Sequence, residues 1–304
     1  MNNNIALLRN ISIIAIVVHH SFCVYAGWPP STAIDIELPS WVAELSGRLK
    51  IIGLSSFTFI SGFLLQYQSS KHTPFWKLIF KKFQRVLIPC VIFSCLYGLI
   101  FPSYMLDVWP SAVNGSHLWY LPMLFICICI TSSLLYLRNG WLFCALGFLF
   151  CYIVGRVTNV RTFIEVLNYL PTFICGYCCN KCKLQLRSSS QAAAVWGGVI
   201  FVLLLSSHHP YILIVKRVIL SLGIYLLVHF HWNNRKLSKT GLIITTSSFS
   251  IYLLHQFFIN ALLSIDVLDY SNIYLSVFVL SVTSVVLPIG VDTLYNKIKK
   301  YENI

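Results

Sequence analysis

Charge is scarce in this sequence. Only 10% of its 304 residues are Asp, Glu, Lys or Arg, and 57% are hydrophobic; a soluble domain carries about 25% charged residues. That balance excludes an ordinary soluble globular protein and points to a polytopic membrane protein. Acidic residues are scarcest, nine against 22 Lys and Arg, for a net charge of +13. In a soluble chain such an excess would suggest nucleic acid. In an apolar chain the cytoplasmic bias of Lys and Arg in membrane loops accounts for it, so no nucleic-acid partner is expected.

Other absences narrow the class further. No Gly/Ser-rich linker, soluble tail or internal repeat is visible, so a single transmembrane domain over 1–304 without an appended soluble domain is expected. The N-terminus has a nearly uncharged leading region and no clear small-x-small site, which argues for a retained first span rather than a cleaved signal. Eleven cysteines are scattered through apolar segments and form no disulfide framework. Their one cluster is Cys175, Cys178, Cys179 and Cys182, at helical spacing with no nearby His. Packing residues or a thiol patch explain it better than zinc, and no metal is expected.

What is present is a series of apolar runs. Ten spans are predicted, at 5–26, 50–68, 86–103, 118–136, 141–156, 162–179, 192–207, 211–230, 241–263 and 272–294. With ten helices, the cations of the 69–85, 180–191 and 231–240 loops and of the tail share one side with Arg138. Asp35, Glu37, Glu44, Asp107, Asp266 and Asp269 fall on the other. This alternation predicts an all-α protein with both termini cytoplasmic. The first outer loop, about 27–48, contains Trp28 and Trp41 and can cap an outward-facing site.

The first span carries Arg9, His19 and His20. Ionisable groups at membrane depth are costly and are functional candidates by default. Arg9 and His20 are eleven residues apart, which returns them to one helix stripe about 16 Å apart along the axis. His19 points roughly 100° away and is the weaker candidate. An arginine near the cytoplasmic end suits an anionic ligand, and an imidazole deeper in the helix suits a base or a nucleophile. The competing view is that Arg9 snorkels to headgroups and His20 is bonded within a bundle.

Lys82 and Arg85 lead into the third span at i,i+3 spacing and can present two cations on one face; membrane anchoring is the simpler explanation. Ser61 and Gly62 read as a close helix approach before a catalytic serine, because no acid partner is readable. His117 and Trp119 open the fourth span, either facing substrate or, for the aromatic, joining an interfacial belt. Tyr252 or Ser248 can pair with His255 along the ninth span. Glu165, Lys216 and Arg217 are further expensive residues expected to face the bundle interior.

Five segments occur in an order that resembles the integral-membrane acyltransferase-3 family, bacterial enzymes that modify cell-surface glycans. They are the Arg9…His20 pair, Phe59-Ile60-Ser61-Gly62-Phe63, the basic run from Lys82 through Arg85 to Pro89, His117-Leu118-Trp119-Tyr120-Leu121-Pro122, and Ser250-Ile251-Tyr252-Leu253-Leu254-His255. The His117 segment resembles the branch containing O-antigen and enterobacterial common antigen acetylases. The resemblance implies ten helices in the bacterial inner membrane. It also implies acetyl transfer from cytoplasmic acetyl-CoA, a co-substrate rather than a resident cofactor, to a hydroxyl of a surface polysaccharide or its lipid-linked precursor.

By the same resemblance His20 matches the family's essential histidine, Arg9 its partner, and Lys82 and Arg85 an Arg-x-x-Arg element linked to the acyl donor. Lysine at the first position keeps charge but loses the bidentate fork. Whether His20 acts as general base or carries the acetyl group stays open. Composition and topology alone would fit a transporter or flippase of lipid-linked glycans equally well. A lipid-phosphosugar glycosyltransferase would require an acid near the site, for which Asp35 or Glu37 could serve.

Overall fold

The computed structural model describes residues 3–26, 28, 34, 36, 39–69, 73–102, 117–158, 160–205, 209–232, 235–265 and 270–302. Every regular element among them is helical. The loop acids Asp35, Glu37, Asp107, Asp266 and Asp269 lie outside the described residues.

The helices are α1 (Asn3–Cys23), α2 (Ser40–Ser69), α3 (Phe75–Lys82), α4 (Ile88–Ile100), α5 (Tyr120–Tyr136), α6 (Gly140–Thr158), α7 (Arg161–Lys181), α8 (Ser189–Leu204), α9 (Pro210–Trp232), α10 (Lys239–Ser264) and α11 (Ile273–Glu302). A π-helical turn, Phe83–Leu87, joins α3 to α4, so the described residues form ten helical rods, each overlapping one predicted span. Among the described residues, eight rods are long and apolar enough to cross a membrane. Ser189–Leu204 is apolar but has 16 residues, and Arg161–Lys181 carries Arg161, Glu165, Asn168, Asn180 and Lys181. The protein is a multi-pass membrane protein.

The π turn has a local cause. Pro89 has no N–H to give to the carbonyl four residues back, and its ring crowds that carbonyl. The helix answers by widening, with the Ile88 N–H reaching Phe83 O. Lys82 closes α3 and Arg85 lies inside the π turn, so the two cations stand where the helix widens. Lys82 is half-buried and Arg85 is exposed.

The chain divides into two compact units, Met1–Leu54 with Trp232–Ile304, and Ser55–His231. In the first unit α1 packs on both α10 and α11, which pack on each other. Contacts of Asn10 with Gly241 and of His20 with His255 run in the same direction along both chains, so α1 and α10 are parallel. Ser247 and Ser250 meet Asp292, and Ser21 meets Ser281, so α11 is antiparallel to both. Ser238 caps the start of α10 by accepting from the Gly241 N–H. Gly53 of α2 faces α1, where a Cβ would lie 2.7 Å from Ile16 Cγ1.

In the second unit the later half of α2 crosses α7 at glycines. A Cβ on Gly62 would run into the Phe173 carbonyl, and one on Gly176 into the Phe59 carbonyl. Two backbones in contact gain dispersion that bulkier residues would prevent. The close approach expected at Ser61-Gly62 is therefore present, and Ser61 bonds its hydroxyl back to Phe57 O at 2.9 Å. Asn180 of α7 donates to Phe63 O at 2.7 Å. α5, α6 and α7 pack mutually.

Candidate active site

The polar residues of α1 divide into those its own helix satisfies and those it does not. Ser12 donates to Leu8 O at 2.7 Å and Ser21 to Val17 O at 3.0 Å. Asn10 reaches α10 instead: its Nδ2 donates to Gly241 O at 2.8 Å and its Oδ1 accepts from Thr245 Oγ1 at 2.8 Å. Sequence reasoning passed over Asn10, although an amide beside Arg9 in an apolar run was a readable signal.

His20 reaches α10 at the other end of the same pair of helices. Its Nδ1 lies 2.6 Å from His255 Nε2, and the rings are parallel within 1° with centroids 4.9 Å apart. That centroid separation matches two rings meeting edge to edge in one plane, not face to face. His255 is fully buried, and its Nδ1 lies 2.8 Å from Tyr252 O and 3.1 Å from Ile251 O.

The partners set the tautomers. Carbonyls only accept, so His255 Nδ1 carries a hydrogen and neutral His255 offers a lone pair at Nε2. His20 Nδ1–H donates to it, which leaves the His20 lone pair on Nε2. An imidazole so held can accept a proton at Nε2 without turning, and its positive charge is then met by the His255 lone pair.

The pairing foreseen for His255 differs from the observed one. On its own helix it meets backbone carbonyls, and Ser248 turns its hydroxyl to Thr245 O at 2.9 Å. Tyr252 is buried and contributes its carbonyl.

Two more rings frame His20. The Trp28 ring lies 5.4 Å from it, which brings a tryptophan from the segment after α1 against the imidazole. The His19 ring lies 5.2 Å away, and His19 Nδ1 is 2.9 Å from Ser46 Oγ. Cys23 Sγ is 3.4 Å from His19 Nε2. His19 is thus tied into its surroundings rather than simply turned aside. Arg9 is half-buried on the stripe of His20, about 16 Å along the helix. Asp292, another residue missed in sequence, accepts from Ser247 Oγ at 2.8 Å and Ser250 Oγ at 3.0 Å. An acid inside the last span was its signal.

The remaining predicted site residues belong to the second unit, each described within that unit alone. His117 is buried and meets Tyr97 edge-on, centroids 5.3 Å apart. Trp119 is buried beneath Arg161, whose guanidinium carbon lies 4.6 Å from the indole centroid. This corrects the expectation of an interfacial aromatic belt, because the cation holds the ring inside the unit. Ser61, Lys82 and Arg85 also lie here. Glu165 stands between Arg161 and Arg217, 3.8 Å from each. Along α7 Cys179 is buried and Cys178 exposed, and Cys182, which caps the helix, is exposed. Among the described residues no group of three or more His, Cys, Asp or Glu side chains is placed to hold a metal ion.

No curated protein and no solved structure matches this chain. A family model described as an acyltransferase domain matches residues 2–291, nearly the whole length and every helix that carries a predicted motif. A multi-pass helical chain with an imidazole pair inside its first unit thus belongs to the acyltransferase-3 family and is a membrane acyltransferase.

Proposed function

We propose that this acyltransferase moves an acetyl group from cytoplasmic acetyl-CoA to a hydroxyl of a bacterial surface polysaccharide or its lipid-linked precursor. The enzyme would sit in the inner membrane with both termini cytoplasmic. The observation that carries the reading is the His20–His255 contact, with the far nitrogen of His255 anchored on two carbonyls. It supports a role for His20 Nε2 at the reacting centre.

In the general-base route, Nε2 takes the proton of the sugar hydroxyl as that oxygen bonds to the thioester carbon. The tetrahedral intermediate collapses, the carbon–sulfur bond breaks, and the imidazolium returns the proton to the departing thiolate. In the nucleophilic route, Nε2 bonds to the acyl carbon first and the carbon–sulfur bond breaks to give thiolate and an acyl-imidazolium; the sugar oxygen then displaces the imidazole as its hydroxyl proton passes to the thiolate. His255 serves both routes by accepting from Nδ1–H. Arg9, on the cytoplasmic side in this topology, is proposed to meet a phosphate of the donor. Lys82 and Arg85 are proposed separately as donor-phosphate contacts of the second unit.

The family match favours acyl transfer over transport of a lipid-linked glycan. The test is the mass and O-acetyl content of surface glycan from cells carrying the wild-type gene, the His20→Ala gene, or no gene. Loss of acetylation in both altered strains supports the reading. Retained acetylation, or glycan held on the inner leaflet, overturns it. Incubation with donor alone separates the routes, since only the second yields an acetyl-histidine.

A further inference from the structure

The first unit holds a nucleophile that neither route above uses. Of the eleven free cysteines only Cys23 belongs to this unit; the other ten lie in the second. Cys23 closes α1, three residues beyond His20 and four beyond His19. Residues at these spacings are neighbours on a helix surface, about 5–6 Å apart at Cβ. His19, His20 and Cys23 are each half-buried, whereas Ser21, Phe22, Val24 and Tyr25 among them are buried. The three side chains fall within about 100° of one another around the axis, so they share the accessible face of this helix end.

Cys23 Sγ lies 3.4 Å from His19 Nε2 and 3.8 Å from His19 Nδ1, and that Nδ1 is 2.9 Å from Ser46 Oγ on α2. A nucleophile, a base within its reach and a third group that orients the base make the arrangement of an activated thiol. With the Ser46 oxygen accepting from Nδ1–H, the His19 lone pair stands on Nε2, the nitrogen nearer the sulfur. The two sulfur distances are nearly equal, so Sγ sits beside the ring and off the axis of that lone pair. Bonds of this kind are often loose before substrate enters and tighten when it does.

A thiol is mainly S–H near neutral pH and attacks as thiolate, so it needs the base at the moment of reaction. The segment after α1 turns back over the group. The Trp28 N–H donates to Cys23 O at 3.0 Å, and the Trp28 ring lies against His20.

We propose that Cys23 carries the acyl group between donor and acceptor. This rests on the acyl-transfer reading and adds a covalent stage to it. In the first half, His19 Nε2 takes the Cys23 hydrogen as the sulfur bonds to the thioester carbon. The carbon–sulfur bond of the donor breaks, and the imidazolium returns the proton to the departing thiolate. One thioester replaces another, so the exchange has little energetic bias. In the second half, His20 Nε2 takes the proton of the acceptor hydroxyl as that oxygen bonds to the acyl carbon on Cys23. The Cys23 carbon–sulfur bond breaks, and His20 returns the proton to the Cys23 thiolate. The donor can leave before the acceptor arrives, and each histidine serves one half-reaction.

The test uses the full-length protein in phosphatidylcholine nanodiscs, given acetyl-CoA without acceptor. Fragment mass spectrometry is expected to place one acetyl group on Cys23, and neutral hydroxylamine to release it. Labelled free coenzyme A should exchange into acetyl-CoA under the same conditions. His20→Ala should keep both signals, and Cys23→Ala should abolish them. His19→Ala should slow both roughly a hundredfold, as loss of a general base does. Cys23→Ser serves if Cys23→Ala does not fold, and it should likewise show no exchange, since an oxygen ester is a poor acyl donor to a thiol.

Absence of label, label on His20 in place of Cys23, or exchange retained without the thiol overturns the carrier. Label that is insensitive to His19→Ala overturns His19 as the base, and label lost in His20→Ala overturns the division between the two histidines. Labelling is read without acceptor. Labelled Cys23 in a protein whose deletion leaves glycan acetylation unchanged therefore refutes the glycan acceptor alone, and full glycan acetylation in Cys23→Ala cells refutes the carrier alone.

Discussion

His20 Nδ1 and His255 Nε2 are 2.6 Å apart in coplanar rings, although the two residues stand 235 positions apart in the chain. Nuclear magnetic resonance of protein labelled with nitrogen-15 at histidine is expected to show hydrogen on Nδ1 of both residues when they are neutral. Hydrogen on Nε2 of His255 would contradict the orientation proposed for His20.

His255→Ala removes the acceptor for His20 Nδ1–H but leaves the His20 ring in place. The expected result is a fall in kcat of about ten- to hundredfold, the range seen when an orienting partner of a functional histidine is lost. KM for donor should change little, and the lower limb of the pH–rate profile should move. A change confined to stability, with kcat and pH profile intact, would reduce His255 to a packing residue.

Asn10→Leu breaks the two bonds that tie α1 to the start of α10 and leaves the Asn10-facing group of Thr245 to bond Gly241 O alone. Hydrogen bonds between membrane helices contribute about 0.6 kcal/mol on average and up to roughly 1.7. A loss of about 1–2 kcal/mol is expected, read as a lower Tm in detergent. Unchanged Tm would show that the clamp contributes nothing net.

Gly62→Ala and Gly176→Ala each place a Cβ against a backbone carbonyl of the facing helix. Backbone cannot swing aside as a flexible side chain can, so both variants are expected to lose monodisperse protein on size-exclusion chromatography. Gly197→Ala is the control, because nothing lies within 4 Å of its Cβ position. That control should hold or gain up to about 1 kcal/mol from helix propensity.

Asp292→Ala and the Ser247→Ala, Ser250→Ala double variant probe one contact from opposite sides. Without Asp292 each hydroxyl can turn to a carbonyl of its own helix, as Ser248 does. Without the serines a half-buried carboxylate loses two charge-assisted bonds, each worth about 1.5–3 kcal/mol. The double variant should therefore melt at the lower temperature. The reverse order would mean that the carboxylate already has sufficient solvent.

The helical rods were readable from local information. Their apolar length, the stripe shared by Arg9 and His20, and the crossing at Ser61-Gly62 depend on residues of a single helix. Family membership was readable too, because it rests on the order of five short motifs. The cost of burying Glu165 and Arg217 was visible, since a charge in an apolar run is conspicuous wherever it ends up.

Partners were not readable, because helical periodicity gives a side chain a direction on its own rod and says nothing about the rod beside it. Folding chose the His255 lone pair for His20 by setting α1 parallel to α10. It set Trp119 beneath Arg161, which drew that ring away from the expected interfacial belt. It widened the helix after Lys82 because Pro89 removes one backbone donor. The candidates came from the chemistry of single segments; their pairing came from packing between helices far apart in the chain.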